Sequence, residues 1–446
     1  MSNWGNVSIT VDHRPDTILV PAVGERYSKS AVVEGANVLP RLLYLADVPV
    51  EASYHGSALV HRLLQDYPPE ALRIVESGSH ASLPERRLAG VNYTALPLSQ
   101  ARWINTRFSR QVSAWLSLRA GRRAALVADH LVGFQPEAVL TVTHGYGWLA
   151  AARLAEQRRL PLHLISHDDW PRVANLPPPF AAWLNRQFGQ IYRQAASRLC
   201  VSPFMQENYA TRYGVPGTVL YPSRAPDGPL FNTPPERLRQ RGAGLTCAYA
   251  GTINSEGYAR PLRLLAENLA QVGGRLLLFG PANATDARQM GLVGANVELR
   301  GLLKSAELIH RLRAEADALF VPMSSAPGER DNMMHGFPSK LTDYTAAGLP
   351  LLIYGPEYCS AVRWAGEHPG VAEVVDTEDD RRLSLAIRRL ADDPAHRMSL
   401  GTSALEVGRR CFAHSVVVEQ FHQALAGSAS LTSKAGVSPA ENASTE

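Results

Sequence analysis

The sequence lacks the features that mark membrane, secreted and zinc-binding proteins. No apolar run in its 446 residues approaches the ~18 residues that a membrane-spanning helix needs. The amino end, MSNWGNVSITVDHRPD, has no apolar core of a signal peptide. The four cysteines are scattered without a CxxC or Cys/His spacing, which is typical of reduced thiols. These absences predict a cytoplasmic protein.

Charge excess is also small. A net charge of +4 over this length gives little reason to expect a nucleic-acid partner. No Asp-x-Asp pair stands in a setting that favours a metal ion. The hydrophobic content of 45% is enough for a sizeable core, and the length predicts two or three domains.

The carboxyl half alternates apolar, β-rich runs with helical patterns. Strands are predicted at 245–250, 275–279, 296–299, 318–322, 350–354 and 372–375. Helical patterns occur at 260–271 and 305–316. Near-continuous apolar strands separated by helices predict a parallel sheet that is covered on both faces.

The amino half repeats this plan less regularly. It has predicted strands at 16–21, 138–144, 162–167 and 198–203 and helices at 147–159 and 204–214. The predicted fold is therefore α/β, with two Rossmann-like doubly wound domains facing each other across a cleft. The expected divisions are a loose segment (1–15), a first domain (16–222), a Pro- and Gly-rich linker (223–244), a second domain (245–426) and a disordered tail (427–446).

The stretch HGFPSKLTDYTAAGLPLLIYGP (335–356) carries the clearest chemistry. Ser339 and Lys340 stand at the start of a predicted helix, where unpaired N–H groups attract anions. Asp343 follows one turn later and can accept hydrogen bonds from sugar hydroxyls. Together these residues can hold a ribose-diphosphate group. The same residue types are common at ordinary helix ends, so the residues alone leave both interpretations open.

PSKLTDYTAAGLPLL resembles the segment PSKL-x-E-Y-x-A-x-G-x-P of retaining glycosyltransferases of family four, which have the GT-B fold. The segments 198–214, 248–265 and 296–322 also resemble that family. The resemblance covers most of 138–425 and is weaker over 16–137. It implies that the first domain binds an acceptor and the second a nucleotide sugar, with UDP the expected nucleotide and GDP the alternative.

On the donor side, the resemblance implies that Lys340 contacts the diphosphate and that Asp343, in place of the family's Glu, binds the ribose. His335 stands where many relatives have a Glu near the transferred sugar. Glu329 on the same loop is an alternative contact for that sugar.

A second departure follows the first strand of that domain. Gly251 is followed by Thr252, where relatives often have Arg. The nearest cation downstream, Arg260, is the predicted second contact of the diphosphate. The alternative is a solvated arginine at a helix start.

On the acceptor side, the resemblance implies that His167 lies in the cleft near the donor's sugar. Asp168 and Asp169 are predicted to orient it or to contact an acceptor, and His144 ends another strand. A structural histidine is the alternative for each, although strand ends are where α/β sheets place site residues.

Three glycines accompany these candidates. Gly145 and Gly147 permit a close approach of the backbone. Gly35 is expected to mark the first loop facing the diphosphate, although the family's usual double glycine is absent.

The expected chemistry is electrostatic. Lys340, Arg260 and the helix terminus would stabilise the charge on the leaving diphosphate without a metal or cofactor. Together with His167 they are the predicted catalytic residues. No carboxylate stands where a covalent nucleophile is required, which fits the family's front-face substitution with retention.

The basic stretch 101–123 contains six arginines and no acid. One helical face would carry Ile104, Phe108, Val112, Trp115 and Leu116. The favoured interpretation is an ordinary domain helix that buries this face. The alternative is a helix that lies on anionic lipid and gives peripheral contact with a membrane.

The resulting hypothesis is a metal-independent retaining glycosyltransferase of polysaccharide biosynthesis. Its acceptor would be a saccharide or a lipid-linked saccharide. Two rivals stay open: a nucleotide-sugar epimerase of GT-B fold, which would need no acceptor, and a non-catalytic relative that serves as a partner subunit.

Overall fold

The structure is a computed structural model, and it describes residues 39–52, 55–97, 103, 106–240 and 244–434. Several predictions lie outside these residues. They concern the segment 1–15, the strand at 16–21, Gly35, Ile104 and the tail beyond 434.

The described residues include seven parallel strands that form a first sheet. They are β1 (Leu42–Ala46), β2 (Leu72–Glu76), β3 (Asn92–Ala95), β4 (Ala138–Val142), β5 (Leu162–Ser166), β6 (Ser197–Cys200) and β7 (Thr218–Val219). Their order across the sheet is β3-β2-β1-β4-β5-β6-β7. Every residue of β1, β4 and β5 is buried, as expected for apolar strands with helices on both faces.

The helices that precede the second sheet are α1 (His55–Leu64), α2 (Ser109–Leu118), α3 (Ala120–Asp129), α4 (Gly147–Arg158), α5 (Trp170–Val173), α6 (Pro178–Gln194) and α7 (Pro203–Tyr213). The predicted helices at 147–159 and 204–214 are confirmed to within one residue at each end. These helices and the first sheet are called the first lobe below.

Six parallel strands in the described part of the chain form a second sheet. They are β8 (Thr246–Ala250), β9 (Arg275–Phe279), β10 (Val297–Gly301), β11 (Ala318–Pro322), β12 (Leu351–Tyr354) and β13 (Ala372–Val375), in the order β10-β9-β8-β11-β12-β13. All six agree with the predicted strands to within two residues at each end.

The remaining helices are α8 (Glu256–Gln271), α9 (Ala284–Gln289), α10 (Ser305–Glu315), α11 (Arg330–His335), α12 (Lys340–Ala347), α13 (Ser360–Glu367), α14 (Asp380–Asp392), α15 (Pro394–Phe412) and α16 (His414–Lys434). The second sheet with α8 to α15 is called the second lobe. In the predicted linker, a 3-10 turn occupies Glu236–Arg239.

Each sheet reverses its strand order at one place. In the first sheet β4 starts a new direction beside β1, and in the second sheet β11 does so beside β8. The loops after such a pair of strands diverge and leave a crevice at their carboxyl ends. The predicted two-domain, doubly wound α/β fold is confirmed.

The last helix packs away from the lobe that precedes it. Val417, Phe421 and Leu425 of α16 are buried in one core cluster with Leu42 and Tyr44 of β1. Their spacing of four residues forms one apolar stripe, which covers a face of the first sheet. Hence α16 joins the first lobe, although its residues fall mostly in the range predicted as the second domain. It also runs to Lys434, past the predicted start of the tail.

The chain passes between the lobes twice, and the two passages lie side by side. The backbone N–H of Arg224 donates to the carbonyl of Phe412 (3.0 Å). The Ser223 hydroxyl lies 2.9 Å from His414 Nδ1. The buried guanidinium of Arg224 also donates to the Thr342 carbonyl of α12 (3.0 Å). These two passages therefore form a strap that joins the lobes.

Within its described residues 106–123, the basic stretch contains parts of two helices instead of one continuous helix. The break falls at Arg119, between α2 and α3. Leu116 is buried, whereas Phe108 and Trp115 are exposed. The short α2 buries only the stripe around Leu116, so the predicted burial of the whole apolar face is wrong. No helix in the described part of the chain is both long and apolar enough to cross a bilayer.

Candidate functional site

The loop after β8 and the start of α12 meet at the carboxyl edge of the second sheet. Gly251 has a φ of 147°, which residues with a Cβ rarely adopt. A Cβ on Gly251 would lie 3.5 Å from Lys340 Cε and 3.3 Å from the Tyr249 hydroxyl. The structure thus brings two predicted donor-binding residues together.

Lys340 lies between two aromatic rings. Its Nζ is 4.8 Å from the centre of the Tyr249 ring and 5.5 Å from that of Tyr258. Burial lowers the pKa of Lys340 to about 8. No carboxylate of the described residues lies within 4.0 Å of this ammonium. In the part of the chain that the structure describes, Lys340 is therefore a cation at the edge of the sheet without an ion-pair partner.

Thr252 follows Gly251 in the chain, and Ser339 precedes Lys340. The Tyr249 hydroxyl donates to the carbonyl of Thr252 (2.7 Å), which fixes the turn after Gly251. Ser339 precedes α12, is exposed, and makes no capping bond with its side chain. Its hydroxyl can consequently act as a donor to a ligand.

Asp343 presents one satisfied and one unsatisfied oxygen. The Ser305 hydroxyl donates to Oδ2 (3.0 Å), whereas Oδ1 is buried and has no hydrogen-bond partner among the described residues. Burial raises the pKa of Asp343, while Arg62, the Ser305 hydroxyl and Arg224 act against this rise. An unpaired buried oxygen is costly, so a ligand hydroxyl that donates to Oδ1 would remove the cost.

The other predicted cation of the donor site has a partner within the protein. Arg260 lies on α8, and its guanidinium is 3.4 Å from both carboxylate oxygens of Glu378. Glu378 also accepts a hydrogen bond from the Ser325 hydroxyl. The charge of Arg260 is thus already matched at an exposed position.

His335 ends α11 and is 4% exposed. Its carbonyl accepts a hydrogen bond from the Ser202 hydroxyl of the first lobe (2.6 Å). Burial lowers the pKa of His335, although Asp169 and Asp331 oppose this, so the ring is neutral at pH 7. The residue contributes to the contact between the lobes.

Glu329 lies near Tyr258, one of the two aromatic residues beside Lys340. Its Oε2 is buried and has no hydrogen-bond partner in the described part of the chain. Burial, with a further contribution from Glu329, raises the pKa of Tyr258 to about 12. Since Tyr258 is also next to Lys340, Glu329 stands near the same edge of the sheet.

The first lobe places His167, Asp168 and His144 at neighbouring strand ends. His144 Nδ1 is 3.4 Å from Asp168 Oδ2, and the His144 ring lies 4.7 Å from that of Trp170. Burial lowers the pKa of His167 to about 4, against the opposing effect of Asp168. His167 is therefore neutral at pH 7, so one ring nitrogen can accept a hydrogen bond while the other donates.

Asp169 has a different environment. It is 1% exposed, and its carboxylate is held by Arg212 (2.7 Å) and by the Tyr209 hydroxyl (3.2 Å). This buried ion pair links the loop after β5 to α7. The predicted contact with an acceptor does not fit such a position, and a structural role does.

Four residues of the site were not identified from the sequence, namely Asp47, Ser77, Tyr249 and Tyr258. Asp47 follows β1 and accepts hydrogen bonds from the Ser77 hydroxyl (2.7 Å) and from the backbone N–H of Tyr146. Gly145 has a φ of 69°, and a Cβ there would lie 2.7 Å from Asp47 Cβ. The pattern that could have identified Asp47 is a polar residue directly after the apolar run LLYLA. That run was not interpreted as a strand.

Metal ligation has little support in the part of the chain that the structure describes. Within those residues no three His, Cys, Asp or Glu side chains cluster in a way that would hold a metal ion.

Three solved structures that are similar to this chain are GT-B glycosyltransferases. Anabaena HepE, in complex with UDP and glucose, is 13% identical with a TM-score of 0.58, and the match covers 86% of this chain and 99% of HepE. Sucrose-phosphate synthase from Thermosynechococcus elongatus is 16% identical with a TM-score of 0.61, over 88% of this chain and 99% of that one. Trehalose 6-phosphate synthase from Burkholderia multivorans is 15% identical with a TM-score of 0.60, over 91% and 100%. The protein therefore has the GT-B fold.

A second comparison concerns the sequence family. The model of Glycosyltransferase Family 4 matches residues 84–223, within the first lobe. No curated protein matches the chain in sequence. The resemblance to GT-B glycosyltransferases of family four is thereby confirmed.

Proposed function

We propose that the protein is a glycosyltransferase that takes a sugar from a nucleoside-diphosphate donor, most simply UDP-sugar. The observation that carries the proposal is the position of Lys340. Its ammonium lies at the start of α12, next to Gly251, with no carboxylate within 4.0 Å among the described residues. An anionic diphosphate would supply the missing partner.

Asp343 extends this site by one helical turn. Its buried, unpaired Oδ1 accepts a hydrogen bond from a ribose hydroxyl in our proposal. The exposed Ser339 hydroxyl, next to Lys340 in sequence, adds a donor for the phosphates. Lys340, Ser339 and Asp343 then match the anionic and hydroxyl groups of one nucleoside diphosphate.

The proposed reaction is electrostatic. When the sugar–phosphate bond breaks, negative charge grows on the diphosphate, and Lys340 and the N–H groups of α12 stabilise it. We propose that this requires no metal and proceeds with retention on the donor's front face. His167, neutral at pH 7, is the proposed hydrogen-bonding group near the transferred sugar. The proposed acceptor is a saccharide or a lipid-linked saccharide used in polysaccharide biosynthesis.

One observation favours a second candidate, a non-catalytic relative that binds a partner. His335 is buried against the first lobe, and Arg260 is paired with Glu378, so two predicted donor contacts are otherwise engaged. Such a protein would bind nucleotide weakly and would transfer no sugar.

Thermal unfolding with UDP, GDP, ADP or CMP, each with and without magnesium, tests the donor assignment. A ligand that binds only the folded protein stabilises it by about 2.7 kcal/mol at a hundredfold excess over its Kd. We expect UDP to raise the Tm without magnesium. If none of the four nucleotides shifts the Tm, the donor assignment fails and the non-catalytic candidate is preferred.

A further inference from the structure

The first lobe contains a cavity that the donor site does not use. It has a volume of about 380 Å³ and lies between α2, α3 and the carboxyl ends of β1, β2 and β3. In a parallel α/β sheet this edge is where ligands bind.

Part of the lining of the cavity is apolar. It includes Leu45, Leu96, Trp115 and Leu126. Trp115 is 37% exposed and Leu126 is 50% exposed. Covering apolar surface of this kind with the apolar chain of a ligand is favourable, because it removes that surface from water.

The lining of the cavity also includes three arginines, Arg119, Arg122 and Arg123. The Arg119 guanidinium lies 4.3 Å from the centre of the Trp115 ring. Neither Arg119 nor Arg122 has a carboxylate within 4.0 Å among the described residues. Arg119 and Arg122 therefore contribute positive charge that no carboxylate pairs in the part of the chain that the structure describes.

Arg123 adds a buried donor. Its Nη2 donates to the carbonyl of Ser77 and lies 3.9 Å from Asp47 Oδ1. Its Nη1 is buried and has no hydrogen-bond partner in the described part of the chain. A buried guanidinium N–H without an acceptor is unfavourable, and a phosphate oxygen would satisfy it.

We propose that this cavity binds a phosphate group that carries an apolar chain. The phosphate contacts the three arginines, and the chain lies against Trp115 and Leu126. This inference rests on the proposed function, because it assigns the acceptor to the lipid-linked class. The chemistry of the ligand follows from the presence of arginines and apolar side chains in the lining of one cavity.

Calorimetry on the full chain with octyl phosphate, octyl glucoside and inorganic phosphate separates the two halves of the proposed ligand. We expect octyl phosphate to bind at least about tenfold more tightly than either of the others. In a series from butyl to octyl phosphate, the affinity should rise about fourfold for each methylene that is buried. Equal binding of inorganic phosphate would overturn the proposal in favour of a simple anion site.

The double variant Arg119→Ala/Arg122→Ala tests the location. It should weaken octyl phosphate by about tenfold or more, whereas the matched control Arg107→Ala, outside the cavity, should change binding by less than about twofold. An equal loss of affinity in the double variant and in Arg107→Ala would overturn the proposed cavity site. It would favour attraction of the phosphate by diffuse positive charge. Binding to vesicles of anionic phospholipid without binding of octyl phosphate would also overturn it, in favour of a surface contact.

The thermal shift with UDP is measured on the same proteins and tells two failures apart. Stabilisation by UDP in all three proteins, with no binding of octyl phosphate, leaves the donor site intact and removes the cavity proposal. Binding of octyl phosphate without any shift from UDP removes the glycosyltransferase proposal and the acceptor role with it.

Discussion

Lys340 is the residue on which the proposed donor site depends. Lys340→Met keeps most of the aliphatic stem between Tyr249 and Tyr258 but removes the charge. A hydrogen bond to a charged group contributes about 1.5–3 kcal/mol, so we expect UDP binding to weaken about tenfold to a hundredfold. Calorimetric titration measures the change. Arg311→Met, which removes a charge from the exposed face of α10, is the control, and an equal loss there would contradict the assignment.

The pKa of Lys340 predicts a pH dependence with opposite signs for stability and binding. The pKa is about 8 in the folded protein and 10.5 for a lysine side chain exposed to water, so unfolding takes up a proton between these values. This residue's burial therefore costs least at high pH, and its contribution to stability rises from pH 8 to 10.5.

UDP binding should instead weaken above pH 8, by up to about tenfold per unit, because a diphosphate needs the ammonium form. The affinity for UDP, measured from pH 7 to 10 by titration, checks this. Lys340→Met should give a flat profile, and a wild-type profile that is equally flat would show that Lys340 does not bind the diphosphate.

Asp343 predicts a selectivity for ribose. Asp343→Ala should weaken UDP by about tenfold, the value of a charge-assisted hydrogen bond, but should hardly affect UDP that lacks both ribose hydroxyls. Titrations of the two nucleotides against both proteins form a double-mutant cycle. Equal losses for the two ligands would mean that Asp343 acts on the fold and does not contact the ribose.

At the strand ends of the first sheet, Gly145 holds the loop after β4 close to Asp47. Gly145→Ala introduces a Cβ at a φ of 69° and 2.7 Å from Asp47 Cβ. The backbone strain costs about 1–2 kcal/mol, and the overlap adds about 1–3 kcal/mol. Urea unfolding measures the total.

Gly133→Ala is the matched control for this prediction. Gly133 has a φ of 78°, but a Cβ there would meet nothing within 4 Å. Gly133→Ala should lower the free energy of unfolding only by the cost of the backbone strain. If both variants lose the same free energy, the packing against Asp47 contributes nothing.

Strands were predictable where a mostly apolar run lies between turn residues. β9, β11 and β13 lie as predicted because no alternative element fits RLLLF, ALFVP or AEVV between turn residues. β1 to β3 were missed because LLYLA follows a proline and continues into a mixed run, and NYTA is a short polar edge strand.

The residues of the site were also predictable only where a local sequence pattern identifies them. Lys340 and Asp343 were identified because the local motif is distinctive. The two rings around Lys340 were not, because the chain brings them from about eighty to ninety positions away. Asp169 was misjudged for the same reason, since its burial depends on Arg212 of another helix.

The helix α16, at the end of the described chain, packs on the first lobe although it follows the second lobe in sequence. Phe421→Ala should cost about 3–5 kcal/mol, because Phe421 is buried against the first sheet. Hydrogen exchange should show lost protection in β1 and β4 rather than in β8 and β11. Leu385→Ala, on an exposed position of α14, should change stability by less than about 0.5 kcal/mol. Loss of protection confined to the second sheet would contradict this packing.

The strap of two adjacent passages at Arg224 and Phe412 sets how the halves of the molecule can move. Two chain passages that run side by side at one place form a hinge between the lobes. They let one half swing relative to the other, but they resist sliding and stretching. Displacement in such a swing grows with distance from the pin, so groups such as Arg172 and Asp331, which form an ion pair across the lobes at 3.2 Å, separate when the halves swing apart. The distance between Arg172 and Asp331 then depends on the angle between the two lobes.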